Sequence, residues 1–103
     1  MGPWKEVPVP LANVLGTVLN VNVIRQGWEA DVMAVLALNP EWPALFESQL
    51  REAIVSHAIC PDLFRRLTLE TRIFTQEDVD WRLRELWQAV YGTPLVEEMA
   101  DDP

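Results

Sequence analysis

His57, Cys60 and Asp62 have the residue types from which nucleophilic catalysis is assembled. On a helix continuing through both, His57 and Cys60 stand at i and i+3, within reach of a thiol–imidazole pair. A working set also needs an orienting third group and an oxyanion site, and no glycine-rich turn nearby supplies backbone donors. The plainer reading is a small core cysteine beside a partly exposed histidine. One His, one Cys and one Asp also fall short of a structural zinc site, so no metal ligand set is assigned. The second candidate is the acidic stretch "QEDVD". Glu77, Asp78 and Asp80 suggest paired carboxylates, yet at a helix N-terminus they are the charges the helix dipole favours. The four glycines form no phosphate-cradling loop. The expectation is a protein without enzymatic activity and without a cofactor.

The totals narrow the class. A chain of 103 residues makes a single domain spanning 1–103 with one modest core. Half the residues are hydrophobic and five are tryptophans, a composition that folds. No apolar run approaches the roughly 20 residues that span a bilayer. The start "MGPWKEVPVP" lacks a basic region followed by an apolar one, so no secretory signal is read. A lone Cys60 has no internal disulfide partner and fits a reducing, cytoplasmic setting. The formal charge of −8 comes from 16 acids and 8 bases and is spread along the chain, which disfavours direct contact with phosphate backbones.

"TVLNVNVIR" alternates Leu19, Val21 and Val23 against Asn20 and Asn22, the period of a strand. "KEVPVPL" is its hairpin partner, with prolines that suit an edge strand, and Asn13 and Gly16 lie in the turn between. Residues 1–26 are thus expected as a β-hairpin region. From Gly27 to Gly92 the pattern is helical, and 93–103 is an acidic tail containing Glu97, Glu98, Asp101 and Asp102. The overall expectation is a mainly α (α+β) fold, an N-terminal β-hairpin followed by a three-helix bundle-like domain.

The first helix, "WEADVMAVLAL", carries a stripe of Trp28, Val32, Val35 and Leu36 and ends at Asn39 and Pro40. The second, "PALFESQLREAIVSHAIC", aligns Phe46, Leu50, Ala53, Ile54 and His57, with Leu45, Val55 and Ile59 away from that stripe. Cys60 followed by Pro61 marks its end. Residues 61–74 form a connector, a helical turn plus an extended segment. The last helix opens on Thr75 as N-cap, with Asp78 three residues on, and closes at Gly92. On its wheel Val79, Leu83, Leu86, Trp87 and Val90 share one side. Trp81 falls opposite, with Arg84, Glu85 and Gln88. Either Trp81 lies beneath "FRRLTLETRIF", or it is an interface anchor, Trp and Arg being enriched at binding hot spots. The residues assigned to partner binding are Trp42, Val55, Ile59, Trp81 and Arg84. The core is assigned to Trp28, Phe46, Leu50, Leu83, Leu86 and Trp87.

The order of these elements resembles the small tail assembly chaperones of long-tailed bacteriophages. The resemblance runs through "GTVLNVNVIRQG", a strand pair leading to an Arg, then "WEADVMAVLALNP", a helix closed by Asn-Pro. It continues through "LREAIVSHAICPDL", a helix closed by proline, to the aromatic final helix "FTQEDVDWRLRELWQAVYG", and so spans Val7 to Gly92. It implies a protein of the host bacterial cytoplasm that binds the long, helical tape-measure protein, keeps it soluble and helps recruit tail-tube subunits. Two other classes fit the composition. One is an acidic phage-encoded inhibitor that mimics phosphate towards a nucleic-acid-binding enzyme. The other is a virion structural or connector subunit whose apolar faces close on its own copies. Salt separates the first from a chaperone contact, and a defined homo-oligomer marks the second.

Overall fold

The computed structural model describes residues 4–95, among which lie five α-helices; Glu97, Glu98, Asp101 and Asp102 of the expected acidic tail lie outside the described residues. They are α1 (Leu11–Thr17), α2 (Trp28–Leu36), α3 (Trp42–Val55), α4 (Pro61–Thr68) and α5 (Gln76–Tyr91). The mainly α expectation holds, but the N-terminal β-hairpin does not, since no strand occurs among the described residues. Five helices take the place of the three expected.

The reason lies in asparagine chemistry. The Asn20 side chain accepts a hydrogen bond from the Asn22 backbone N–H at 2.8 Å. The Asn20 carbonyl accepts from both Val23 and Ile24, each at 2.9 Å. These local bonds coil residues 20–24 into turns, so the alternation of Leu19, Val21 and Val23 never becomes a pleat. Nor does the proline-rich segment need a strand partner. The Gln49 side-chain amide donates to the Val9 carbonyl at 2.8 Å, and its oxygen accepts from the Leu11 N–H at 3.1 Å. Asn13 and Gly16, expected in a turn, lie inside α1. That helix buries Leu11, Val14 and Leu15, with Val18 one turn on, an i, i+3, i+4, i+7 stripe.

α1 packs on α4 and α3 on α5, while α2 also contacts α5, so the core is one cluster drawn from all five helices. Phe46, Leu50, Ala53 and Ile54 of α3 meet Val79, Leu83, Leu86 and Trp87 of α5 there. Trp28 packs against this cluster from its edge and is only partly buried. At Gly16 a Cβ would meet nothing nearer than the Leu67 carbonyl, at 3.8 Å. Gly16→Ala is therefore expected to stabilise the fold by about 0.5–1 kcal/mol, since alanine forms helix more readily and its Cβ meets Leu67 at ordinary van der Waals distance. A shift of the urea midpoint to higher concentration checks this.

Residues 61–68, expected as connector, form α4. Pro61 occupies its first turn with Asp62, and Arg65 and Arg66 lie in its last, the charge order the helix dipole favours. α3 also stops earlier than expected. Ser56 is its C-cap and His57 adopts a left-handed φ of 52°. The Ala58 N–H then reaches back to the Ala53 carbonyl at 3.1 Å, closing the helix as a Schellman turn. His57 therefore leaves the stripe of Phe46, Leu50, Ala53 and Ile54 and is exposed.

α5 follows its expected boundaries. Thr75 accepts from the Asp78 N–H, and the Asp78 carboxylate accepts from the backbone of Phe74 and Thr75 at 2.8 and 3.0 Å. Gly92 ends the helix at φ 78°, a left-handed conformation glycine takes without penalty. The bonds from Phe74 and then Thr75 hold the Asp78 carboxyl below the usual aspartate range. A carboxyl depressed in the folded state stabilises fully above its unfolded pKa, and that stabilisation is lost as pH falls through the folded value. Acidification below about pH 4 is thus expected to lower the Tm of the wild-type chain more than that of Asp78→Asn. Thermal melts of the two proteins across that range check the difference.

Candidate functional site

Of the residues considered for chemistry, His57 is paired with Asp80. His57 Nδ1 lies 2.8 Å from Asp80 Oδ2 on α5. Gln76 Nε2 donates to the other Asp80 oxygen at 3.3 Å and to the Ile59 carbonyl at 2.9 Å. This chain ties the α3–α4 turn to the first turns of α5. Cys60 belongs to another element, as the N-cap of α4. Asp62 is engaged by Arg66 at 2.6 Å and Arg65 at 3.4 Å. Among the described residues no group of three or more His, Cys, Asp or Glu side chains is placed to hold a metal ion. No helix there is long and apolar enough to cross a membrane.

The five residues assigned to partner binding separate into distinct environments. Ile59 is fully buried in the core and belongs to no surface. The wheel that placed it outside assumed a helix running through Cys60, whereas the Schellman turn at His57 redirects the chain inward. Trp42 is partly buried and packs against the core. Val55 is exposed at the end of α3, lining a shallow depression with Arg51 and Ser56. Trp81 and Arg84 are brought together on the outer face of α5, where they border a hollow with Gln88, Pro94 and Leu95.

Trp81 is 62% exposed, which overturns its placement beneath residues 64–74. Phe74, at the end of that segment, is itself 74% exposed. The Arg82 guanidinium sits 5.3 Å from the Trp81 ring centroid, a cation–π contact that orients the indole without covering it. Its NH2 group donates to Glu70 at 2.9 Å and its NH1 group to Glu85 at 3.2 Å. On the opposite side of α5, Trp87 is buried against Tyr91, ring centroids 4.4 Å apart, with Arg51 over the Trp87 ring at 5.0 Å. Burial pushes the Tyr91 phenol up to about 12, with Glu47 adding to the shift and Arg51 opposing it. Tyr91 thus keeps its proton at neutral pH.

Sequence reasoning missed a second feature beside Trp81. Leu19, Val21, Ile24, Trp28 and Phe64 wall a cleft of about 140 Å³, and Glu70, Arg82 and Glu85 lie at its polar side. Glu85 also borders the Trp81 hollow, so the two depressions adjoin across α5. Only the turns at 20–24 bring Val21 and Ile24 to this place, and a strand reading hides that signal.

Comparison with known proteins finds no matching family model, no matching curated protein and no matching solved structure.

Proposed function

We propose that this chain is a non-enzymatic protein-interaction domain, a tail assembly chaperone that binds a long helical tape-measure protein in the host bacterial cytoplasm. The observation that carries the reading is Trp81. A tryptophan 62% exposed in the middle of a well-capped helix is an anchor that no pocket among the described residues covers. The strand pair that entered the resemblance is replaced by α1 and turns. What supports the narrower reading is the helix order with its Asn39–Pro40 and Cys60–Pro61 breaks and its aromatic last helix. Carboxylates engaged by neighbouring arginines, at Asp31, Asp62, Glu70 and Glu85, favour an apolar contact over a phosphate mimic.

The test is affinity capture of the tagged chain from its native lysate, washed at low and then high salt. A long helical phage protein retained through the high-salt wash supports the proposal. A nuclease or polymerase released by salt alone would refute it in favour of the inhibitor. A defined homo-oligomer in light scattering, with no heterologous partner, would refute it in favour of the structural subunit.

A further inference from the structure

The cleft beside Trp81 has a size and a charge that specify an occupant. Drug-sized ligands and cofactors fill pockets of roughly 300–1,000 Å³, whereas a cavity near 150 Å³ lined by apolar side chains accepts about one benzene ring. At about 140 Å³ the cleft matches a single ring or branched aliphatic group. Val21, Ile24 and Trp28 give it an apolar wall open to the outside. Its polar side is selective in sign. Arg82 is already bonded to Glu70 and Glu85 and stacked on Trp81, so it has little left to offer an anion. Two carboxylates against one guanidinium leave an excess negative charge at the mouth, within a chain of net charge −8. An acidic partner is repelled there and a cation is drawn in.

We propose that this cleft is a socket for one Leu- or Phe-sized side chain of a basic amphipathic helix, whose neighbouring Lys or Arg pairs with Glu85. This deepens the interaction reading above and rests on it, because the socket adjoins the Trp81 hollow through Glu85. The partner helix lies across α5, its apolar residue in the socket and its flank on Trp81.

The probe is an end-labelled synthetic peptide of Leu and Lys, roughly four helical turns long, followed by fluorescence anisotropy. A Leu and Glu peptide of the same pattern is the comparison. Val21 and Ile24 are 44% and 43% exposed, so their substitution leaves the core intact. The Leu/Lys peptide is expected to bind the wild-type chain, and the Leu/Glu peptide is not. Ile24→Asn is expected to weaken binding about tenfold, the effect of leaving an apolar group half-buried against a polar wall. Glu85→Gln is expected to weaken it about threefold at low salt, a difference that closes as salt is added. Leu38→Asn, at a residue 76% exposed that lines neither depression, leaves it unchanged.

Equal binding of both peptides, or no binding of the Leu/Lys peptide, overturns the proposal. So does an Ile24→Asn variant of wild-type affinity. If Trp81→Ala alone removes the binding, the socket falls and the α5 interaction reading stands. If the peptide maps to Ile24 and Glu85 while lysate capture yields no helical phage protein, the socket stands and the tail-assembly reading falls.

Discussion

Alanine at position 59 is expected to lower the unfolding free energy by about 2–5 kcal/mol, the cost of removing a buried isoleucine side chain and leaving a cavity. Ile59 has no exposed surface and belongs to the core cluster shared by all five helices. Its carbonyl accepts from Gln76 Nε2 at 2.9 Å, so the backbone there is fixed to the start of α5 and cannot easily collapse inward. A loss of that size is a large share of the 5–15 kcal/mol that keeps a typical domain folded. Urea denaturation of the purified variant measures it. Ile59→Val, at about 0.5–1.5 kcal/mol, keeps the fold and is expected to keep partner capture intact. Val55→Ala, four residues earlier and exposed, is expected to stay within about 0.5 kcal/mol of wild type. An Ile59→Ala protein of unchanged stability but lost binding would return this residue to the surface.

The contrast between positions 55 and 59 shows what the chain discloses locally and what it does not. α5 was legible because both its ends are written in residue types: Thr75 and Asp78 at the start, Gly92 at the finish. With its boundaries known, the wheel separates Trp87 from Trp81 correctly. α3 has no such mark at its finish. Ser56 and His57 close it through a left-handed backbone that histidine adopts without advertising it, so a wheel carried past Val55 puts Ile59 on the wrong side. At the N-terminus two periods overlap. Leu11, Val14, Leu15 and Val18 follow a helix, and Leu19, Val21 and Val23 follow a strand. The strand loses because Asn20 accepts from the N–H groups of Asn22, Val23 and Ile24, and Gln49 satisfies the backbone that a partner strand would have paired. α4 carries its signs in Pro61, Asp62 and the arginines, and Leu63, Phe64 and Leu67 stand at i, i+1 and i+4 on one side, a short stripe that a connector reading passes over. The cleft was illegible for a different reason. It is built from the 19–28 segment, α4 and α5 together, and only tertiary packing sets them side by side.

Trp81→Ala is expected to weaken capture of the partner by roughly 30-fold or more, the ≥ 2 kcal/mol of a binding hot spot, while leaving the domain folded. The two effects separate because the indole is an exposed group on a helix whose stability comes from its other face. Truncation removes the cation–π contact with Arg82, worth about 0.5–1 kcal/mol at an exposed site. It does not release Arg82, whose guanidinium stays bonded to Glu70 and Glu85. Alanine is also the better helix former, which offsets part of that loss. Trp81→Phe keeps an aromatic surface and is expected to recover part of the binding. Trp87→Ala is the opposite case, six residues along the same helix. Its ring is buried against Tyr91 and beneath Arg51, and its loss is expected to cost about 3–5 kcal/mol of stability. Titration calorimetry against the captured partner, beside urea curves for both variants, separates the anchor from the core. Wild-type affinity in Trp81→Ala would remove the outer face of α5 from the contact altogether, because no other group there presents comparable apolar area to a partner.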